Sequence, residues 1–263
     1  MKTVWAWVMV GVLLVSCDRE DPQPSQPALR LVPDEMQEMD FSKKFIYNAS
    51  GQLAQIKMVS RFAGGGTIES EQNFFYDAQG VLKESTTDTG WRIVYTISNG
   101  LITRADEIVN GVASQYHTYR YNPDGRLAES ITWQNIPEEG GEIPVAKDTY
   151  EYDADNNLVK HQLFYYTSFG AEAKLSTTFL MSDYDDKINS EGFFDIHPTN
   201  PLVMLSANNP GKLEIQNQNG FTFSRETFAY EYHSDGYALK KTTHTRLYNG
   251  NEGTYQTTYR FRE

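Results

Sequence analysis

Asp183, Asp185 and Asp186 place three carboxylates in one short run, with Asn189 close behind. Oxygen ligands at such alternating spacing suit Ca²⁺, the only cofactor the residues suggest, yet the run lacks the Gly at loop position six and the Glu at position twelve of an EF-hand. A solvated turn accounts for the same residues. The five histidines, His117, His161, His197, His233 and His244, form no His-Glu-x-x-His pair and no close spacing suited to zinc. Cys17 is the single cysteine, so neither an intrachain disulfide nor a cysteine-based zinc site can form. No Gly-x-Ser-x-Gly elbow is present, and Gly64-Gly65-Gly66 lacks the Lys-Ser/Thr of a phosphate loop. Among the aromatic residues, Trp91 and Trp133 are candidates for stacking on the apolar face of a sugar ring. Cross-strand packing is the competing use of aromatics at a two-residue period. No catalytic residue and no metal ligand is assigned.

The elements that must position these residues are hairpins. Tyr119 to Trp133 is the fullest example: Tyr119 and Tyr121 share one strand face, Asn122-Pro123-Asp124-Gly125 makes a turn, and Leu127, Ile131 and Trp133 keep a two-residue spacing after it. Variants recur at Phe45 to Leu53, Phe74 to Leu82 and Tyr150 to Leu158, where Asn156 takes the glycine position. Tyr95 to Ile102 is a contracted copy, and Phe228 to Gly236 a later one in which Leu239 falls one place late. Asp34 to Asp40, with Met36 and Met39 three apart, reads as a helical turn. Between Asp183 and Pro210 the rhythm breaks, and Pro201 reads as the start of a short helix there.

The chain has 263 residues, 39 % hydrophobic, with 17 Tyr and 14 Phe, enough to bury a sizeable core. Its formal net charge of −12 argues against a nucleic-acid partner, which would need clustered Lys and Arg. At the N-terminus, Met1-Lys2, the apolar run Val4 to Val15 and Leu14-Val15-Ser16-Cys17 together resemble a bacterial lipoprotein signal peptide. The resemblance implies removal of residues 1–16 and lipidation of Cys17. Residues 17–33, acidic and then Pro-rich, read as a tether, leaving 34–263 as a single domain. The acidic residues beside Cys17 resemble export signals of surface lipoproteins in Bacteroidetes-type bacteria, which implies the outer face of the outer membrane.

The Tyr-[Asn/Asp]-x-x-Gly-x-Leu units resemble YD (RHS-type) repeats. The whole layout, with Asp185-Asp186-Lys187-Ile188-Asn189, Asn208-Asn209-Pro210 and Tyr230 to Gly236 in that order, is similar to a family of uncharacterised Bacteroidetes lipoproteins with a porin-like fold. Consecutive hairpins independently imply an all-β antiparallel meander that curls into a rolled sheet or barrel-like domain, with one short helical insertion. Arg61, Arg92, Lys160, Arg225, Lys240 and Arg246 interrupt the strands, so attachment through lipid on Cys17 is expected in place of a membrane-spanning wall. The expected role is binding or structural, with a glycan or protein as ligand. A surface glycan-processing enzyme or glycan-binding accessory protein is the alternative, since a distant carboxylate pair leaves no local signature.

Overall fold

The computed structural model describes residues 31–62, 64–136, 141–168 and 170–262. Sixteen strands follow one another in a closed antiparallel barrel. They are β1 (Val32–Glu38), β2 (Phe41–Tyr47), β3 (Leu53–Arg61), β4 (Thr67–Tyr76), β5 (Leu82–Thr87), β6 (Trp91–Ser98), β7 (Leu101–Val109) and β8 (Val112–Tyr121). The second half comprises β9 (Leu127–Ile136), β10 (Gly141–Tyr152), β11 (Leu158–Tyr165), β12 (Lys174–Ser182), β13 (Lys212–Asn217), β14 (Thr222–Tyr232), β15 (Ala238–Leu247) and β16 (Glu252–Arg262). Residues 1–30, with the proposed signal peptide, Cys17 and most of the tether, lie outside the described residues.

The repeat acts by fixing register. Tyr47 pairs with Leu53, Tyr76 with Leu82, Tyr121 with Leu127 and Tyr152 with Leu158, each beside a bulge in the same place. The turn carboxylate or amide supplies the closure: Asp77 Oδ1 accepts from the backbone N–H of Gln79 at 3.0 Å and of Val81 at 2.9 Å, and Asp153 does the same for Asp155 and Asn157. Asn156 takes φ +68° where other copies carry Gly, a conformation Asn tolerates better than other side chains. Because the hairpins form a single run, the sheet can lose its edges only by joining its ends, and β1 pairs with β16 from Val32↔Arg262 to Glu38↔Thr257. This pairing replaces the helical turn expected over Asp34 to Asp40: both neighbours of β1 claim its backbone hydrogen bonds.

Alternation assigns the two faces. Inward positions hold Phe45, Ile56, Phe74, Ile93 and Tyr95, all buried. Outward positions hold ion pairs: Lys57–Glu71, Arg92–Glu84, Lys160–Glu151 and Arg225–Glu214. Arg or Lys at such outward positions would cost ~2–4 kcal/mol each on a lipid-facing wall at mid-bilayer.

The turns after β2, β4, β6, β8, β10 and β14 share one end of the barrel with Val32 and Arg262; we call it the repeat end, and the other the mouth. The repeat breaks at the same end, between β12 and β13, and the intervening residues turn into the lumen. They contain the one short helix among the described residues, α1 (Glu191–Phe194). Pro201 does not start a helix: Val203 N–H donates to Asn200 O at 3.3 Å, closing a turn around it.

Candidate functional site

The inserted segment is a plug held by side chains of the wall. Phe194, fully buried, lies against Phe45, Tyr259 and Phe261, with ring centroids 5.3, 5.1 and 5.2 Å away. Repeat tyrosines supply polar anchors: Tyr95 OH donates to Pro198 O at 2.6 Å, Tyr119 OH to Thr199 O at 3.1 Å, and Tyr230 OH to Pro210 O at 3.0 Å. Lys241 pairs with Glu191, and Lys43 Nζ donates to Phe194 O at 3.2 Å. Burial lowers the Lys43 pKa, against the opposing pull of Asp195 and Glu191. Ser190 Oγ accepts from Ala238 N–H at 2.6 Å. Ala238 occupies the register position opposite Tyr232 that other hairpins give to Leu, and its small side chain leaves room for the plug. Leu239 consequently points outward and is exposed.

Between the plug and β8–β11 remains a chamber of ≈ 450 Å³. His117, Thr132, Asp148, Tyr150 and His161 line it from the wall, and Asp195, His197 and Asn200 from the plug. Two imidazole–carboxylate pairs face it: His117 Nε2 lies 2.6 Å from Glu107 Oε1, and His161 Nε2 2.7 Å from Asp148 Oδ1. Burial alone would raise the Glu107 pKa, but hydrogen bonds from His117 and Gln115 outweigh it and leave the carboxyl below its ordinary range. An ionised Glu107 can only accept, so His117 Nε2–H donates to it, and His117 Nδ1 lies 3.1 Å from Thr132 Oγ1. His161 is held flat between Tyr150 and Phe179, with centroids 4.9 and 5.0 Å away. Solvent reaches His197 through the lumen, yet the surrounding wall desolvates its charged form and His117 adds to the effect, so its pKa is lowered. The arrangement orients several hydrogen-bonding groups toward one ligand-sized space.

The residues singled out from sequence are dispersed by the fold. Trp91 opens β6 in the inward register at the mouth, 43 % exposed. Trp133 belongs to the outer face, stacked on Tyr116 at 5.9 Å, with Nε1 donating to Thr118 Oγ1 at 3.1 Å. The three aspartates sit together at the repeat end but bind different partners. Asp183 pairs with Lys212 at 2.6 Å and Asp186 with Lys187 at 2.8 Å, and each lysine lowers its partner's pKa. Asp185 accepts from Asn209 N–H at 3.1 Å, Lys187 N–H at 3.0 Å and Tyr232 OH. It latches the start of the plug to β14. Among the described residues, no three His, Cys, Asp or Glu side chains converge as metal ligands would.

Sequence reading weighed His117 and His161 only as zinc ligands and passed over Glu107, Thr132 and Asp148. Their signal was faint: polar residues in the inward register of strands that elsewhere put aromatics there.

The fold and chamber define a closed, internally plugged antiparallel barrel. Its architecture is similar to that of a porin-like protein from Bacteroides uniformis, with a TM-score of 0.61 over 87 % of this chain and 96 % of that one. At 15 % identity the likeness is one of fold. A porin-like protein from Bacteroides vulgatus is a looser match, at 9 % identity and a TM-score of 0.39 over 88 % of this chain and 99 % of that one. No family profile matches the chain, and no curated protein matches it.

Proposed function

We propose that the chain is a lipid-anchored protein of the cell envelope, carried on the outer membrane through Cys17, whose lumen holds a small ligand. The observation that carries this reading is the chamber between plug and wall, lined by His117, His161, His197 and Asp148. Packing alone would favour apolar residues at these inward positions, because each polar group taken from water needs a partner to offset its desolvation, as Glu107 and Thr132 do for His117 and Asp148 for His161. The topology supplies a direction. β1 starts at the repeat end, so a tether running from Cys17 to Val32 leaves the barrel there, and the mouth is the end available to ligands from outside.

The test has two arms. A Cys17→Ala chain is expected to leave the membrane fraction, whereas retention after mild washing contradicts anchoring. A soluble chain without residues 1–17, which keeps every strand including β1, is expected to gain thermal stability from one or more members of a glycan and peptide screen. The Asp148→Ala, His161→Ala double variant is expected to lose that gain. A screen without any stabilising ligand contradicts the binding reading and leaves a structural role.

A further inference from the structure

We propose that mouth and chamber together receive the end of an uncharged or amine-bearing saccharide chain, an inference that rests on the lumen being the ligand site. It begins with the distribution of exposed apolar side chains. Of the thirteen large ones exposed among the described residues, nine lie at the mouth. They include Phe62, Trp91, Tyr165, Phe221 and Tyr248, so the rim is largely aromatic, and Phe221 meets Tyr248 edge to face at 5.8 Å. The repeat end, crowded with polar turns, has no such ring. Apolar clusters of this kind mark interaction sites, and flat aromatic faces offer what the C–H face of a sugar ring packs against.

The rim leads to the chamber along inward-facing columns. Tyr165 and His161 lie on one column of β11, whose inner end lines the chamber, while Trp91 opens a column of β6 that runs to Tyr95 and through it to the plug at Pro198. Four residues of strand span ~13 Å, which a short saccharide chain covers. At the inner end acceptors predominate. Asp148 and Asp195 present carboxylates, while Asn200, 5 % exposed, keeps an Oδ1 with no hydrogen-bond partner. His197 Nδ1 accepts from Thr199, which leaves its Nε2–H as a donor. Sugar hydroxyls and ammonium groups can donate to the acceptors.

Charge selects within that class. Of the two nearby lysines, Lys241 pairs with Glu191 and Lys43 is bound to Phe194 O. Lys43 keeps its charge and acts on Asp195, so the three carboxylates Asp148, Asp195 and Glu191 exceed the two lysines by one negative charge beside the imidazole of His161, which a uronic acid or other anionic sugar would oppose.

The soluble chain without residues 1–17 is applied to an array of neutral, amine-bearing and uronic-acid-bearing glycans, and the strongest binders are titrated calorimetrically. Neutral or amine-bearing glycans are expected to bind, and uronic-acid counterparts at least about tenfold more weakly. Trp91→Ala and Asp195→Asn are each expected to weaken binding about tenfold with unchanged melting temperature, and Phe75→Ala on the outer wall to leave it unchanged. Equal binding of acidic glycans, or insensitivity to both variants, overturns the proposal. If no glycan binds but simple amines stabilise the chain through Asp195, the saccharide falls while the lumen reading stands; if nothing binds, both fall. Self-association or vesicle binding abolished by Trp91→Ala would assign the rim to a second copy or a lipid surface, and equally overturns it.

Discussion

Phe194 of the plug meets Phe45 of β2 edge to face, centroids 5.3 Å apart with ring planes at 82°. The contact joins the one segment that, among the described residues, interrupts the hairpin series to a residue of its first repeat. Truncating a fully buried aromatic costs ~3–5 kcal/mol. Phe194→Ala is therefore expected to lower unfolding free energy by about that amount in a denaturant titration. Phe75→Ala, on an exposed outer position, should change it by less than ~0.5 kcal/mol. Equal effects would place Phe194 outside the core.

Gly211 is where the plug rejoins the wall, and a Cβ there would lie 2.5 Å from Asp183 O. Backbone cannot yield as a side chain tip can. Gly211→Ala is expected to lower the melting temperature by several degrees, and Gly64→Ala, with open space around its Cβ, to leave it unchanged. Thermal scans of the two variants compare them directly.

Asp185 gathers donors from Asn209, Lys187 and Tyr232. Replacing it by Ala leaves these partners unpaired, which favours local opening. Faster hydrogen exchange is expected across Lys187 to Asn209, with the strand amides of β6 to β9 unchanged. Uniform acceleration would mean that plug and barrel unfold as one unit.

Acid is expected to destabilise the fold in two stages. The pKa of His197 lies below its ordinary 6.5, first through desolvation and then through His117, with Asp195, Asp148 and Glu107 opposing. The unfolded chain thus takes up this proton at higher pH than the folded one, and stability falls as pH drops through ~6.5 toward the folded value. Glu107, whose folded pKa is below the ordinary 4.5, contributes stability above that value, which is lost as pH falls through the folded one. Melting temperatures from about pH 8 to about pH 2 should show both losses, and His197→Gln should flatten the first. An unaltered first slope in that variant would contradict the assignment.

The hairpins were legible because each is specified within nine or ten residues. Asn48 or Asp77 closes the turn, Gly51 or Gly80 takes the positive φ, and Tyr and Leu set the register. Closure was less so, since nothing local marks Val32 and Arg262 as partners. The three-residue spacing of Met36 and Met39 imitated a helix because it was read without the two strands that flank it. The chamber was illegible for a further reason. Glu107, His117 and Thr132 come from three strands, and their two-residue periodicity is the same as that of core aromatics. The break in the repeat did mark the segment that forms the plug, although its aspartates fasten that plug and the chamber lies deeper.

The plug lies inside the barrel, packed against Phe45 and Phe261 and bonded to Tyr230, and access to the chamber is expected from the mouth. In a chain whose sole cysteine, Cys17, is replaced by Ser, Asp195→Cys would place one thiol in the lumen, and Tyr248→Cys one on the rim. Labelling rates with iodoacetamide and with a bulky polyethylene glycol maleimide decide the matter. The small reagent is expected to modify both thiols, and the bulky one only the rim thiol. Equally fast reaction of both thiols with the bulky reagent would contradict the plugged barrel.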